Sequence, residues 1–370
     1  MRILKDRLSK ELHKRQAEGS YRQLIVHSIQ HDFFSNDYLG LAHKHPSLND
    51  ATVTNRPASS RLIAGTQKGH VELESFLAEY FNVASALIYN SGYTANIGLI
   101  SSLAKKDDLI LYDEKSHASI KDGVRLAPSK SLKFKHNDSA DLERLLRNNS
   151  KNKVKFIITE GLFSMDGTFA PIKKIVEIAK KHTAQVIVDE AHSLGTTGNK
   201  GKGLVDQMKL TETVFARIIT FGKSLGSHGA AILTDELTKN YLVNFSRPFI
   251  YTTALPTHSF ELIQDHLSSN SFTLRINQLQ KNITLFRSLI SSGIDLKSDP
   301  LSPIQTVFSS KIEKLLKLEE QLLKKGFGVK VIFPPTVPNG QERIRITLHS
   351  FNTQEEIAQL ATIINALRDH

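Results

Sequence analysis

Lys223 ends an apolar, β-branched run, Val214 to Phe221, and Gly226 and Gly229 follow within a few residues. This reads as a buried strand that stops in a tight glycine-rich turn. A lysine at the mouth of such a strand loses hydration, which lowers its pKa and frees the amine as a nucleophile or base. An ordinary strand-end lysine has the same surroundings, so the rest of the chain must decide. Asp189 stands between the apolar run 186–188 and Glu190-Ala191-His192. A lysine and a carboxylate so placed suit pyridoxal phosphate, whose aldehyde takes an amine and whose pyridine nitrogen needs a carboxylate to stay protonated. Asp189 reads equally as a metal ligand or a helix cap. His192 and His117 could meet the same ring, one at its hydroxyl and one over its face, although a lone histidine after a strand is more often structural. No His-Glu-x-x-His pair supports a metal, and there is no Gly-x-Ser-x-Gly elbow or Walker loop.

These residues need a scaffold that makes distant positions converge. Strand then helix repeats along the chain: Ala86–Tyr89 before Thr94–Leu103, Leu109–Tyr112 before Asp138–Arg147, Val154–Thr159 before Pro171–His182, then Val186–Val188 and the Lys223 strand. Val71–Phe81 has helical spacing, 56–70 reads as a loop, and Phe33–Leu41 reads as a short strand running into a polar turn. Alternation of this kind predicts an α/β fold, a mostly parallel sheet covered by helices on both faces. Ligands then bind beyond the carboxyl ends of the strands, where Gly92, His117, Ser164, Asp189, His192 and Lys223 all fall. The Asn90-Ser91-Gly92-Tyr93 turn before a helix is also a ready anion site.

From about Pro256 the pattern changes to a long helical stretch to about Ser291, strands at Ile304–Phe308 and Val329–Phe333, and a helix around Glu313–Lys325 between them. Arg343-Ile344-Arg345-Ile346-Thr347 alternates as a strand with both arginines on one face, and Gln354–Leu367 closes the chain as an amphipathic helix. We divide the chain into an N-terminal helix and extended segment (1–45), a large cofactor-binding domain (46–255) and a smaller α+β domain (256–370).

The 370 residues carry a formal charge of +11, from 48 Lys and Arg against 37 Asp and Glu, and no cysteine. Disulfides, thiolate metal sites and a Cys nucleophile are thereby excluded. The basic residues are scattered rather than striped, so nucleic acid is not indicated, and positive potential that steers anions is the sharper reading. No apolar run reaches the ~20 residues of a membrane span, and the N-terminus has no apolar signal core. Leu4, Leu8 and Leu12 predict an amphipathic helix, and a cytoplasmic location is expected.

Eight segments in order carry a resemblance: FSNDYLGL (34–41), SSRLIAGTQKGHVELE (59–74), NSGYTAN (90–96), KSHASIKDG (115–123), EGLFSMDG (160–167), DEAHSLGTTGNKGKG (189–203), TFGKSLGSHGAA (220–231) and RPFIYTTALP (247–256). They resemble the successive motifs of the α-oxoamine synthases, fold-type I pyridoxal-phosphate enzymes that work as homodimers with shared active sites. The resemblance implies that Lys223 carries the cofactor, Asp189 holds its pyridinium, His192 its ring hydroxyl, and His117 stacks on the ring. It further implies backbone contacts from Gly92 and Tyr93 to the phosphate, joined by Thr220 and by Thr252 across the dimer, with Ser164 near the ring hydroxyl and Glu160 supporting the site. Arg345 is expected to bind the amino-acid carboxylate, with Arg343 as the rival, Asn36 to lie near the amino acid, and Arg22 to reach the acyl group. The implied reaction is decarboxylative condensation of an amino acid with an acyl thioester carried by coenzyme A or an acyl carrier protein. The His136-Asn137-Asp138 turn and the Ser-Arg-Leu-Ile-Ala-Gly-Thr loop lean toward L-alanine and a pimeloyl thioester; glycine C-acetyltransferase, serine palmitoyltransferase and autoinducer-type synthases stay open. Arg56-Pro57-Ala58 departs from the family's usual Gly- and Ser-rich run.

Overall fold

The structure, a computed structural model, describes residues 2–19, 29–42 and 58–367. Arg22, Arg56 and Pro57 lie outside the described residues. Helix α1 (Arg2–Ala17) forms where a helix is expected, but Leu12 on its anticipated apolar stripe is exposed.

The first difference from expectation is at Phe33–Leu41. The strand is only β1 (His31–Asp32), paired in parallel with Phe327–Gly328, and the residues after it have no regular structure. Side chains take the backbone donors that a ladder would need. The Asp32 carboxylate accepts the N–H groups of Phe34 and Ser35 at 3.0 Å each, and Asp37 accepts those of Leu41 and Ala42 at 2.9 and 3.1 Å. Phe33, Tyr38, Leu39 and Leu41 are buried all the same. The segment 58–70 is likewise not plain loop, since Arg61–Gly65 makes a single π-helical turn before α2 (Lys68–Phe81).

Seven strands build the main sheet: β2 (Ser85–Tyr89), β3 (Leu109–Asp113), β4 (Lys130–Phe134), β5 (Lys155–Glu160), β6 (Ala184–Asp189), β7 (Ala216–Thr220) and β8 (Ala230–Thr234). Their order is β2-β8-β7-β6-β5-β3-β4, and every neighbouring pair is parallel except those of β8, which runs antiparallel to both β2 and β7. The expected mostly parallel sheet is therefore present. Two strands escape the sequence reading. β4, KSLKF, is an edge strand with mostly solvent-facing residues and no apolar run, and β8, AAILT, follows so closely on the glycine turn that it reads as part of it. Helix α3 (Gly92–Leu103) matches expectation, whereas α4 (Ala118–Leu126), directly after His117, does not announce itself because its glycine and polar residues interrupt the apolar period.

The expected long helical stretch is two helices, Phe260–Ser268 and Asn270–Leu289, broken where the Ser269 hydroxyl caps the second by accepting the Ser271 N–H at 3.1 Å. Beyond it, β9 (Asp295–Leu296), β10 (Ile304–Phe308), β12 (Lys330–Ile332) and β13 (Arg343–Thr347) form an antiparallel sheet in the order β12-β13-β10-β9, and β11 (Phe327–Gly328) is the partner of β1. Helices Ile312–Lys324 and Gln354–Asn365 pack with it. One apolar cluster runs from Phe33 and Leu73 through Ile219 and Phe272 to Ile346 and Ile364, so the segment after β1 is held against the small sheet as well as the large one. Two backbone bonds tie it there: the Thr347 N–H donates to the Phe33 carbonyl at 2.7 Å and the Ser350 N–H to the Tyr38 carbonyl at 2.8 Å. Among the described residues no helix is long and apolar enough to cross a membrane.

Candidate active site

Parallel strands deliver their last residues to one end of the sheet, and here those residues are polar. β5 ends at Glu160 and β6 at Asp189, which are register partners, so their side chains stand on the same face. β7 ends at Thr220, and the chain then turns through Gly222-Lys223 before β8 returns. Next to Thr220 lies the start of α3: a Cβ on Gly92 would sit 3.7 Å from the Thr220 Cβ. The Gly92 and Tyr93 N–H groups head that helix, where no preceding turn supplies acceptors, and Ser91 caps Thr94 by a hydroxyl that accepts its N–H at 3.2 Å.

Lys223 is half-buried, and burial, with some help from the Arg345 charge, pulls its pKa down to about 8 against the opposing pull of Asp189 and Glu160. Asp189 is 6% exposed. Its two oxygens accept the Ala191 N–H at 2.9 Å and the Asn96 side-chain amide at 2.7 Å, which leaves further lone pairs facing the site. Burial raises the Glu160 carboxyl well above the ordinary range, and Asp189 and Asp113 add to that against the opposing pull of the His117 N–H and Lys223. The His117 N–H donates to Glu160 Oε1 at 2.6 Å.

Both histidines are neutral. Burial lowers His192 far below the ordinary imidazole range, and the Lys223 and Arg345 charges push the same way, as a proton on His117 would. Burial also lowers His117, with Lys223 and Lys121 adding to it and Asp189 and Asp122 opposing. The Tyr38 phenol, itself buried and shifted upward, lies 2.6 Å from His192 Nδ1 and donates to it, which leaves the proton of that ring on Nε2. The ring of Tyr93 meets His117 edge-on at 6.2 Å, and the Tyr93 hydroxyl donates to Asp122.

The small sheet brings in the cations. Arg343 and Arg345 both reach the loop after β5, as alternation predicts, but their partners differ. Arg343 is bonded to the Asp166 carboxylate at 2.7 Å and the Gln341 carbonyl at 2.9 Å, and its guanidinium lies 4.6 Å from the Phe308 ring centre. Lys115 shares Asp166 at 2.5 Å. Arg345, 7% exposed, donates from Nε to the Ser164 carbonyl at 2.7 Å, from Nη2 to Asn36 Oδ1 at 2.9 Å and from Nη1 to the Phe34 carbonyl at 3.4 Å. Among the described residues no carboxylate pairs with it.

Gly92, Tyr93, His117, Glu160, Ser164, Asp189, His192, Thr220, Lys223, Asn36 and Arg345 are thus gathered around the ends of β3, β5, β6 and β7 and the middle of β13. Thr252 is half-buried elsewhere, beside Tyr89, Asn90 and Arg61 near the end of β2, and Arg22 is not among the described residues. Sequence reasoning missed Tyr38, Asn96 and Ser119. Each lies in a quoted motif, two residues from Asn36, on the first turns after Gly92, and two residues after His117, so proximity to those residues was the available signal. A cavity of about 990 Å³ opens from His117 and Ser164 toward Lys121, Lys133 and Val337.

The sequence profile of the class I and II aminotransferases matches residues 28–364. The chain is 37% identical to the 8-amino-7-oxononanoate synthase of Trichlorobacter lovleyi over 381 aligned positions that cover 96% of each chain. A solved 8-amino-7-oxononanoate synthase from Francisella tularensis superposes with a TM-score of 0.77 at 30% identity, covering 92% of this chain and 97% of that one. A serine palmitoyltransferase from S. paucimobilis, solved with a bound PLP-myriocin aldimine, superposes with a TM-score of 0.87 at 26% identity over 98% and 96% of the two chains.

Proposed function

The chain belongs to the class I and II aminotransferase family, and from that premise we propose that it is a pyridoxal-phosphate enzyme of biotin synthesis, an 8-amino-7-oxononanoate synthase. It condenses L-alanine with a pimeloyl thioester and releases carbon dioxide and the free thiol carrier. The single observation that carries the reading is that the Asp189 carboxylate and the Lys223 amine, lowered to about 8, share one strand-end crevice in a chain whose relatives bear that name.

The donor set fits the cofactor. Lys223 would take its aldehyde, Asp189 its pyridine nitrogen, His192 and Ser164 its ring hydroxyl and His117 its face. Gly92 and Tyr93 N–H groups with the Thr220 hydroxyl would hold the phosphate, joined by Thr252 of the partner subunit in a homodimer. Bound there, pyridoxal phosphate supplies an electron sink for charge that develops at the α-carbon of the amino acid.

The protein's own groups do the rest. Arg345 binds the alanine carboxylate and Asn36 flanks it. The guanidinium has five N–H donors, of which Ser164, Asn36 and Phe34 engage one each, and the Tyr38 hydroxyl is a fourth polar neighbour; a planar guanidinium so placed suits a carboxylate. Lys223, displaced by the amino acid, acts as base toward the α-proton. At pH 7 about one amine in ten is neutral at that pKa, against fewer than ~one in a thousand for an ordinary lysine. Neutral His192 presents Nε2–H as a donor, and burial disfavours a second negative charge on Glu160 beside Asp189. Acyl selection lies with the thioester side of the site. In the cavity beside His117, Lys115 and Arg343 are paired with Asp166, and Arg125 with Asp122, while Lys121 and Lys133 have no such partner among the described residues. An anionic carrier, coenzyme A or an acyl carrier protein, would meet those two lysines.

The test is a visible spectrum of the cofactor-loaded protein titrated with L-alanine, glycine and L-serine, then with pimeloyl thioester, and product identification by mass. Perturbation by alanine and formation of 8-amino-7-oxononanoate are expected. A response to serine or glycine alone would transfer the chain to a sister synthase, and the absence of any lysine-bound cofactor band would end the reading.

A further inference from the structure

We infer that Asn96 and Ser119 are positioning residues that join Asp189 to His117 and fix which nitrogen of His117 carries its proton. Nothing above gives either residue a role, and the functional part of the inference rests on His117 meeting the cofactor ring.

The hydrogen bonds can be assigned by counting donors. Asn96, 1% exposed on α3, is 2.7 Å from Asp189 Oδ2 through Nδ2. The opposite amide orientation would press its carbonyl oxygen onto a carboxylate oxygen, acceptor against acceptor, so the Asp189 carboxylate sets the orientation. The second Nδ2 hydrogen points to Ser119 Oγ at 3.1 Å. Ser119, also 1% exposed, therefore accepts from Asn96, and an amide nitrogen offers it nothing to donate to. Its own O–H turns to the remaining neighbour, His117 Nδ1, at 2.8 Å. The Ser119 backbone N–H donates to the same nitrogen at 3.3 Å, as part of the cap that His117 makes on α4. A ring nitrogen that accepts two hydrogen bonds carries no proton, so neutral His117 is protonated at Nε2. The relay thus runs from the Asp189 carboxylate through the Asn96 amide and the Ser119 hydroxyl to His117 Nδ1.

The helices are shaped for it. Asn96 reaches Ser119 only because α3 and α4 pack closely at Gly123, where a Cβ would lie 3.1 Å from the Ile100 Cβ and 3.2 Å from the Asn96 carbonyl oxygen. The two residues that should hold the ring from below and from its face are in this way referenced to each other through two rigid helices, not through the loop 114–117.

The groups that face His117 are Asp189, Lys223 and His192 across the site, Lys121 and Asp122 on its own helix, Glu160 on its N–H and the Tyr93 ring. Removing the Ser119 hydroxyl takes a donor from the unprotonated nitrogen and so disfavours neutral imidazole.

The experiment uses cofactor-free protein labelled with ¹⁵N at histidine, with the His117 signals identified by their loss in His117→Gln. In the unsubstituted protein Nδ1 should resonate as an unprotonated acceptor and Nε2 as a protonated nitrogen; a protonated Nδ1 overturns the inference without any relay variant having to fold. Ser119→Ala and Asn96→Ala should each shift the His117 signals toward a mixture of tautomers and raise its titration midpoint. In the loaded enzyme both should lower kcat roughly 10- to 100-fold, the range for loss of a partner that orients a functional group, with KM for alanine little changed. If both variants fold and leave the His117 signals and titration as they were, the relay is only packing and the inference fails. Because the resonances are read without cofactor, these outcomes stay separate from any failure of the enzyme reading.

Discussion

Replacing Arg345 by lysine separates the two arginines of β13 and measures what the planar guanidinium is worth. Its protein partners, Ser164, Asn36, Phe34 and the Tyr38 hydroxyl, are all uncharged, and a carboxylate bound to the planar guanidinium makes charge-assisted bonds. Bonds to charged groups contribute ~1.5–3 kcal/mol each. Lysine keeps the charge but offers a point donor in place of the fork, so about one such bond is lost. At ~1.4 kcal/mol per decade, KM for alanine should rise roughly 10- to 100-fold in Arg345→Lys. The matching variant is Arg343→Lys, whose guanidinium is held by Asp166, the Met165 and Gln341 carbonyls and the Phe308 ring. Its loss should appear as a lower melting temperature, with KM for alanine within a few-fold of the parent. Steady-state kinetics over alanine concentration, with thermal melts of both variants, read the difference. If Arg343→Lys raises KM and Arg345→Lys does not, the anchor is the other arginine.

Competitive labelling of lysines in the cofactor-free protein, read residue by residue by mass spectrometry, should give Lys223 a reactivity midpoint near pH 8, well below the surface lysines. The same shift makes the cofactor-free fold gain stability as pH rises above about 8, because the unfolded chain still binds the proton that native Lys223 has released; denaturant melts of the parent against Lys223→Met should show that gain only in the parent, and an equal gain in both would refute it. Asp189→Asn, which removes the charge and keeps the shape, should cost ~10²–10³ in kcat, as loss of one preorganised electrostatic partner does, while the cofactor still binds; near-parental turnover would remove Asp189 from its role. Lys121→Glu with Lys133→Glu should raise KM for the thioester, and the effect should shrink as salt is added, whereas KM for alanine stays put.

How far the sequence could be read follows from where each residue's partners lie. Strand-end positions such as Asp189 and Lys223 are legible because a buried apolar run must stop beside them, and the run is local. Arg345 is half legible: alternation puts it on one face with Arg343, but only the fold shows that Asp166 neutralises the one and leaves the other free. Asn96, Ser119 and Tyr38 are silent in sequence, since their meaning is a bond to a residue far along the chain. Glu190 shows the opposite error that adjacency invites. It follows Asp189 directly, yet its carboxylate binds buried Arg217 at 2.5 Å and the Val205 N–H at 3.0 Å, holding the loop after β6 to the sheet and away from the site. The short strand expected at Phe33–Leu41 failed for a chemical reason already visible in the residues, the aspartates that draw backbone N–H groups into turns.

The antiparallel course of β8 also limits how this chain can change in length. Ala230 pairs with Tyr89 on one side and Thr220 on the other. Gly92 lies three residues beyond Tyr89, and Lys223 three beyond Thr220. One alanine is thus the common reference from which both the helix that would hold a phosphate and the lysine that would hold its cofactor are measured out. A residue inserted between 221 and 229 that slipped β8 by one position would shift those references by ~3.4 Å and exchange the two faces of β8, both of which are buried. Deletions and insertions should therefore be tolerated at 149–153, between a surface helix and the start of β5, and selected against in the loop around Lys223, where even a neutral residue would alter the distance between two groups that would grip the same small molecule.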